Sequence, residues 1–536
     1  MTHARRPLLP VYIILALALA YLAWLVTSSQ PGVFFSSDGA IKYMVVRQFT
    51  AGHGFKYLYL PQPQWVHQIW DTGYFPLRPP FIYPSPQGYL FVFPPAFQVI
   101  SAFFYQNLGM AGLYIVPVCS ILLLWLSLIL LLRRSGIPSP YIAMALFIIV
   151  FCSPLTIYGA TYWEHIPAIL LLFSGIAFIL HTPSRPGVAA AMGLLSGLAA
   201  WFRPEALAMN SLYVLATIIL FKYENRAPLF AFLVGVALSI GSFLLFNKIE
   251  LGSFLGIHSY QVLHQGDPGR TASAIENLYS NNKLSVKYFC FIVFLLPIGY
   301  VLLTPWAHAL FTNRRRTSTA SGTSTAARTS ATSHTSPSAR TLNIRILLLI
   351  AIIIAFCALT PFLVPNDGGR QWGARYILPI IPILTVVLTL IAYQWQALEK
   401  GRWAPALLAL LLFCSGYSLY LNTYKGGIMT LRRENFYRIK PDLDFITQQK
   451  SNVVIVSFPY IAMELGYLFN DKYFFLAPDD SSLRRLLPLL KTNGIHEYTY
   501  IYDKRVPDNQ PLLLKSLALP IRAENGDFYF EHYPIP

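Results

Sequence analysis

Asp38 is the residue whose type and position most directly indicate chemistry. It follows the first hydrophobic segment, Val11 to Thr27, and lies within Phe34-Phe35-Ser36-Ser37-Asp38-Gly39. The pair Arg5-Arg6 precedes that segment, so the positive-inside rule predicts a cytoplasmic N-terminus and places Asp38 just outside the bilayer. A carboxylate there can deprotonate an acceptor or hold a metal ion next to a lipid-borne substrate. The alternative is that Asp38 caps an interfacial helix from Ala40 to Gln48.

Further ionisable residues lie at predicted outer ends of hydrophobic segments, where charge is costly unless it serves a site or reaches water. Glu164 and His165 open one segment; the alternatives for them are an acid that complements the helix dipole and a hydrogen-bonded interfacial histidine. Arg370 and Arg375 lie among glycines, which suits a phosphate-binding loop, with snorkelling at the interface as the alternative. The turn at residues 203–205 is interpreted as an ion pair that closes a helical hairpin.

The composition identifies the elements that must position these residues. Of the 536 residues, 55% are hydrophobic and 12% are charged, and the mean hydropathy is +0.50. A helix crosses a bilayer with about 20 apolar residues, and the sequence contains about eleven such stretches. The net charge of +17 follows largely from predicted inner loops, so it does not indicate a nucleic-acid partner. All five cysteines lie in apolar segments, so we expect no disulfide.

The predicted fold is therefore a polytopic α-helical membrane protein over residues 1–421, with a large first outer loop at residues 28–111. Within that loop, Phe91 to Leu108 is interrupted by Pro94-Pro95 and is interpreted as a juxtamembrane helix. Residues 312–341 are rich in Ser, Thr and Arg with almost no apolar bulk, which predicts a disordered cytoplasmic insert. Clusters of Lys and Arg between spans fall on the cytoplasmic side, which leaves the C-terminus outside.

The tail at residues 422–536 has a different pattern, in which short apolar runs alternate with amphipathic stretches. It predicts strands at residues 453–456, 472–476 and 498–502, with helices at residues 460–469 and 482–490. This alternation predicts a small extracytoplasmic α/β domain. No Gly-rich phosphate loop is present in the tail, so we expect a lid or an acceptor-side module rather than a second active site.

Several short motifs resemble those of one superfamily. They are an acid soon after the first span, Phe93-Pro94-Pro95-Ala96-Phe97, Glu164-His165-Ile166-Pro167-Ala168, the run from Gly193 to Glu205, and Arg375-Tyr376-Ile377-Leu378-Pro379. In this order they resemble the GT-C glycosyltransferases, and the layout is most similar to protein mannosyltransferases and aminoarabinose–lipid A transferases. The resemblance covers about Pro10 to Leu421. Protein mannosyltransferases carry an Asp-Glu pair in the first loop, whereas Gly39 follows Asp38 here, which argues against a protein O-mannosyltransferase.

The resemblance implies a sugar donor carried on a polyprenyl phosphate in the lipid bilayer. Asp38 would act as general base toward the acceptor, opposite the leaving phosphate, which gives inversion at the anomeric carbon. Arg375 and Arg370 would stabilise the phosphate as it leaves. Glu164 would orient the acceptor or share a divalent metal ion with Asp38, with His165 as a further ligand. The implied location is the inner membrane of a bacterium.

Aromatic residues of the first outer loop are candidates for binding the acceptor or the sugar. Trp65, Trp70 and Tyr83, with Tyr74, are predicted either to stack on sugar rings or to anchor the loop at the membrane interface. Asp71 is a second acid in this loop and is ranked below Glu164, because nothing places it near the membrane surface.

Two other classes of protein remain as alternatives. A lipid flippase or transporter is expected to show inverted repeats and ionisable groups near the middle of spans, whereas here these groups cluster at outer ends. A polysaccharide polymerase or ligase of the cell envelope also uses outer-loop arginines, but usually places its large loop late in the chain. Here the long loop is the first one.

Overall fold

Helices form most of the protein. The computed structural model describes residues 8–34, 37–79, 82–257, 339–363, 372, 375–397, 404–506, 511, 514 and 521–535. The helices before the C-terminal domain are α1 (Leu9–Ser28), α2 (Ser37–Thr50), α3 (Gln64–Ile69), α4 (Ala96–Leu108), α5 (Ile115–Arg134), α6 (Ser139–Phe151), α7 (Leu155–Gly159), α8 (His165–Leu180), α9 (Pro186–Leu198), α10 (Ala206–Leu220), α11 (Arg226–Leu251), α12 (Ala339–Leu363), α13 (Ile380–Ala397) and α14 (Ala404–Leu419).

Several of these helices are suited to a bilayer. In the described part of the chain, four helical segments are long and apolar enough to cross a membrane: Leu9–Ser28, Ala96–Arg134, Arg226–Leu251 and Leu342–Leu363. Five shorter apolar helices, of 10–17 residues, accompany them. The protein is therefore a polytopic membrane protein, although four long segments do not establish the predicted count of about eleven spans. The predicted span at residues 286–303 and most of the predicted insert lie outside the described residues.

Close contact between α9 and α11 fixes one side of the helical part. At Gly193 a Cβ atom would lie 2.1 Å from the Phe232 carbonyl oxygen, and at Gly235 it would lie 2.2 Å from the Ala190 carbonyl oxygen. Only glycine allows backbones to approach this closely, as in small-residue packing of membrane helices. The crossing also positions the 3-10 turn Ala199–Trp201, which leads directly to Arg203.

The first outer loop carries a small antiparallel sheet. Its strands are β1 (Tyr57–Leu58), β2 (Ile82–Ser85) and β3 (Gly88–Phe91), in the order β1-β3-β2. Before this sheet comes α2, which is longer than the predicted helix and begins at Ser37. The outer face of α2 meets the C-terminal domain, where the Tyr43 ring stacks on the Tyr467 ring at 5.6 Å. The helix that carries Asp38 is therefore held by packing along its length.

The C-terminal domain is α/β, and its first part follows the predicted pattern. After α15 (Thr430–Phe436) and α16 (Ile439–Gln448) come β4 (Val453–Val456), α17 (Pro459–Glu464), β5 (Tyr473–Leu476), α18 (Asp480–Thr492), β6 (Glu497–Asp503), β7 (Ile521–Asn525) and β8 (Phe528–Pro534). The three predicted strands are confirmed as β4, β5 and β6, which are parallel. The β7–β8 hairpin, absent from the prediction, extends the sheet antiparallel in the order β5-β4-β6-β8-β7.

The first outer loop and the C-terminal domain share one hydrophobic core. Buried side chains of the loop, including Val66 and Phe75, belong to the same cluster as Val454 and Phe475 of the sheet. The helical part has its own separate core. The loop predicted as part of the membrane domain is therefore joined physically to the tail, which positions it over the helices.

Candidate active site

Asp38 lies in the first turn of α2 and is 4% exposed. Its Oδ2 atom accepts a hydrogen bond of 2.7 Å from Nη1 of Arg375, which forms a buried ion pair between residues 337 positions apart in the sequence. Arg375 opens the 3-10 turn that leads into α13. Two residues predicted for the site are therefore in direct contact, and the partner of Asp38 is Arg375 rather than the helix backbone.

Arg375 keeps hydrogen-bonding capacity beyond this pair. Its Nη2 donates to the Tyr376 hydroxyl at 3.1 Å, and its guanidinium lies 5.0 Å from the centre of the Tyr376 ring. Its Nε is buried and has no hydrogen-bond partner. Because a guanidinium has five N–H donors, Arg375 can contact an anion while it keeps Asp38.

A second network surrounds Glu164, which immediately precedes α8. Lys42 Nζ lies 2.5 Å from Glu164 Oε2, and Arg203 Nη1 lies 2.8 Å from Glu164 Oε1. Arg203 also contacts Glu205 through Nη2 at 2.6 Å. The hairpin ion pair expected at residues 203–205 is present, but Arg203 is shared with Glu164 and so belongs to the candidate site.

Electrostatics explain why this buried carboxylate stays charged. Burial alone raises the pKa of Glu164, but the positive charges of Lys42 and Arg203 outweigh it and hold that pKa below its ordinary value. Burial lowers the pKa of Lys42, and the negative charge of Glu164 opposes that shift. Each charge therefore depends on its partner, which makes the network a unit.

Tyr376 connects the two networks. Its ring lies 5.0 Å from the Arg375 guanidinium carbon and 5.9 Å from that of Arg203. The connected side chains comprise three carboxylates and three cations, namely Asp38, Glu164, Glu205, Lys42, Arg203 and Arg375. In such a balanced cluster, an anionic group is held by donors that the existing pairs leave free, such as Nε of Arg375.

Comparison with solved structures shows that the fold of the chain is a known one. The chain matches the crystal structure of ArnT from Cupriavidus metallidurans bound to undecaprenyl phosphate with a TM-score of 0.55 and 13% sequence identity, over 97% of each chain. The apo structure of ArnT gives a TM-score of 0.51 and 14% identity, again over 97% of each chain. ArnT is a GT-C glycosyltransferase. The fold is a GT-C fold. No protein-family model and no curated protein matches the sequence significantly.

The GT-C fold agrees with the superfamily that the motifs predict. The structural match covers more of the chain than the motifs do. The motifs cover residues up to about Leu421, whereas the structural match also includes the C-terminal domain. At this level of sequence identity the match shows architecture, so the roles of individual residues rest on the geometry of this chain.

The structure does not support a metal site at Asp38, Glu164 and His165. Both oxygens of Glu164 contact cations, and Asp38 contacts Arg375. Among the residues that the structure describes, no group of three or more His, Cys, Asp or Glu side chains is arranged to hold a metal ion. His165 is buried, and neither ring nitrogen has a hydrogen-bond partner, while its ring packs against Tyr158 and Trp163.

The predicted aromatic residues have different surroundings. Trp70 is 2% exposed and donates from Nε1 to the Phe474 carbonyl at 2.8 Å, so it belongs to the core between loop and tail and presents no open ring face. Trp65 is partly exposed and meets Tyr473 edge-on at 5.2 Å. Tyr83 lies on β2, paired with Leu90. Arg370 lies outside the described residues.

Sequence reasoning missed Lys42 and the second contact of Arg203. Lys42 is fully buried and four residues after Asp38, so the two lie on one face of α2. A lone lysine within the apolar run from Gly39 to Val46 was the available signal, because such a charge needs a buried partner. Its partner Glu164 is 122 positions away, which the sequence alone does not reveal.

Proposed function

We propose that this protein is a membrane glycosyltransferase that transfers a sugar from a polyprenyl-phosphate donor to an acceptor. The acceptor would be a glycolipid, a polysaccharide or a protein at the outer face of a bacterial inner membrane. The GT-C fold supports this proposal, as does the bound undecaprenyl phosphate of the ArnT structure. In the proposed topology the N-terminus is cytoplasmic, and the site and residues 422–536 are extracytoplasmic.

The buried pair of Asp38 and Arg375 is the observation that carries the proposal. The reaction needs a base for the acceptor hydroxyl and a cation for the leaving phosphate. These two groups lie 2.7 Å apart in the first turn of α2 and at the start of the turn before α13. A carboxylate and an arginine are the residue types that these tasks require.

The proposed reaction forms one bond and breaks another at the anomeric carbon. The acceptor oxygen bonds to this carbon as its proton passes to Asp38, and the carbon–oxygen bond to phosphate breaks, with its electron pair remaining on the phosphate. Protonation of Asp38 removes the counter-ion of Arg375 at the moment when the phosphate gains negative charge. The cation is thus freed for the transition state, where it contributes most.

This arrangement refines the expected positions of the two groups. A base on the side opposite the phosphate was expected, whereas Asp38 is bonded to the arginine that would hold the phosphate. In the proposal, Arg375 lies between them, with Nη1 toward Asp38 and its remaining N–H donors toward the phosphate. The acceptor hydroxyl then approaches the anomeric carbon from the side of Asp38 that Arg375 does not cover. The configuration at that carbon is therefore still inverted.

Glu164 has a positioning role in this proposal. Both of its oxygens are engaged by cations, so it is not available as a second base. It instead keeps Lys42 charged and holds Lys42 and Arg203 in place beside the pair of Asp38 and Arg375. These cations supply the positive surroundings that a phosphate needs.

Transfer from defined donors tests the proposed function. Membranes that contain the full-length protein would be incubated with a panel of labelled polyprenyl-phosphate sugars, and both labelled product and released polyprenyl phosphate would be measured. We expect at least one donor to yield product, with release that depends on the protein. Membranes that contain the Asp38→Asn protein are the matched control. Movement of the lipid across the bilayer without transfer of sugar would instead identify a flippase.

A further inference from the structure

The C-terminal domain contains a cavity of about 640 Å³ that the proposed transfer reaction does not use. It opens where the amino ends of the parallel strands β4, β5 and β6 meet the end of β8. Trp65, from the first outer loop, also lines the cavity. The volume is in the usual range for small-molecule sites, about 300–1,000 Å³.

One wall of this cavity is aromatic. Trp65 and Tyr473 pack edge-on at 5.2 Å, and both line the cavity. Trp65 is partly exposed, in contrast to its neighbour Trp70, which is buried in the core. No described residue accepts a hydrogen bond from the indole N–H of Trp65, so the side chain offers both a ring and a donor.

The remaining walls are polar. Asn452 and His496 line the cavity, and their side chains form no hydrogen bond with the described residues. Glu497 is held by His532, with 3.3 Å between Glu497 Oε2 and His532 Nε2. The cavity therefore combines an amide and an imidazole, which can donate and accept hydrogen bonds, with a carboxylate, which accepts them from hydroxyl groups.

From this geometry we infer that the cavity binds a carbohydrate. The C–H faces of a sugar ring pack against aromatic side chains, and its hydroxyls bond to amide, carboxylate and imidazole groups. Lys450 also lines the cavity, but the carboxylate of Glu497 opposes the binding of a strongly anionic ligand. The ligand class is thus an uncharged mono- or oligosaccharide.

The position in the sheet argues against a nucleotide. Parallel α/β sheets bind nucleotides at the carboxyl ends of their strands, beside glycine-rich turns. This cavity lies at the amino ends, and its lining includes one glycine, Gly494, but no glycine-rich turn. Carbohydrate binding here does not depend on the proposed transferase activity, because it involves neither Asp38 nor Arg375.

Direct binding to the full-length protein tests this inference. The protein would be placed in lipid nanodiscs rather than in maltoside detergent, whose headgroup is itself a sugar. Maltose, cellobiose, mannobiose and N,N′-diacetylchitobiose are the probes, with glucose 1-phosphate as the anionic comparison. Saturation-transfer NMR would detect binding, and titration of tryptophan fluorescence would measure it. We expect at least one uncharged disaccharide to bind more tightly than glucose 1-phosphate.

Variants locate the binding. Trp65→Ala should weaken binding about tenfold or more, as expected when a central aromatic contact is lost. Asn452→Ala should also weaken it, and this variant retains the backbone hydrogen bond of 2.7 Å from Tyr473 N to Asn452 O. The matched control is Tyr59→Ala, an aromatic residue of the same loop that is 44% exposed and lies outside this cavity.

The outcomes separate this inference from the proposed function. Asp38→Asn should bind the disaccharide as the parent does, whether or not transfer is detected. The inference would be overturned if no uncharged saccharide binds, if glucose 1-phosphate binds most tightly, or if Trp65→Ala and Asn452→Ala both bind as well as the parent.

Discussion

Two buried ionic clusters of this protein differ in their charge balance. In the candidate site, three carboxylates are matched by three cations. In the C-terminal domain, Arg438 contacts three carboxylates, at 2.8 Å for Glu434, 3.1 Å for Glu464 and 2.8 Å for Asp527. Asp442 is also buried nearby, with no hydrogen-bond partner for Oδ1.

The difference in balance has a consequence for protonation. Burial, followed by the negative charges of Glu464 and Asp527, raises the pKa of Asp442 to about 9. The matched cations of the candidate site instead hold the pKa of Glu164 below its ordinary value. The candidate site thus keeps Glu164 charged at neutral pH, whereas the C-terminal cluster keeps Asp442 protonated.

Breaking the balance of the candidate site should have the largest effect on stability. Glu164→Gln removes the carboxylate between Lys42 and Arg203 and leaves Lys42 buried without it, so the free energy of unfolding should fall by about 3–5 kcal/mol. Denaturant or thermal unfolding of the purified protein measures this change. Asp444→Asn is the control, because its pair with Lys440 is exposed and should contribute less than about 1 kcal/mol. Equal stability of the two variants would refute a structural unit around Glu164.

Substitutions of Arg375 test whether the candidate site acts in catalysis. Arg375→Ala should cost about 2–4 kcal/mol of transition-state stabilisation, because it removes the cation proposed for the leaving phosphate. Arg375→Lys should retain part of the rate, since the charge remains but the planar fork is lost. Measured transfer rates should therefore rank parent, Lys variant and Ala variant in that order. The exposed Arg433 offers a control, and Arg433→Ala should transfer like the parent. Full activity of Arg375→Ala would leave this residue as an interfacial anchor.

The cluster in the C-terminal domain leads to a prediction about the pH dependence of stability. Because the pKa of Asp442 is about 9 in the folded protein and 3.8 for the ordinary group, the folded state binds more protons between these values. Its contribution to stability is therefore present at low pH and is lost as the pH rises toward 9. Asp442→Asn should flatten this part of the unfolding profile. If the parent and Asp442→Asn show the same dependence of stability on pH, Asp442 is ionised in the folded protein.

The smallest expected effect concerns divalent ions. Since Asp38 and Glu164 already contact cations of the protein, transfer should be the same with EDTA as with added Mg²⁺ or Mn²⁺. Rates would be compared after dialysis against the chelator. Loss of activity that an added ion restores would show that the ion pairs open to form a metal site.

Candidate site residues can be predicted from the sequence where a charged residue lies in apolar surroundings. Asp38, Glu164 and Arg375 were identified in this way, and the structure brings Asp38 and Arg375 into contact. Their partners were harder to predict, because contacts between residues more than 100 positions apart depend on tertiary packing. Lys42 was missed although it also lies within an apolar run, and its contact with Glu164, 122 positions away, depends on tertiary packing.

In the fold, too, local patterns were predicted from the sequence, whereas features that depend on tertiary packing were not. Regular alternation predicted β4, β5 and β6, whereas the β7–β8 hairpin was missed although Asn525-Gly526 marks its turn. Trp65 and Trp70 are five residues apart and of the same type, yet one lines a cavity and the other is buried against Phe474. Only the packing of the loop on the tail separates them.

The central claim is that Asp38 is the general base, and Asp38→Asn tests it most directly. Asparagine preserves size and helix-starting ability but removes charge and basicity. Thermal unfolding and binding of a labelled polyprenyl-phosphate sugar would first show that the variant is folded and binds donor. Asp38→Glu, which keeps the charge, would be measured beside it.

We expect the Asn variant to bind donor but to transfer sugar about 10²–10⁴-fold more slowly than the parent, because a positioned base usually contributes that much. Asp38→Glu should recover part of that rate. An Asn variant that is folded, binds donor and transfers sugar at the rate of the parent would contradict the claim.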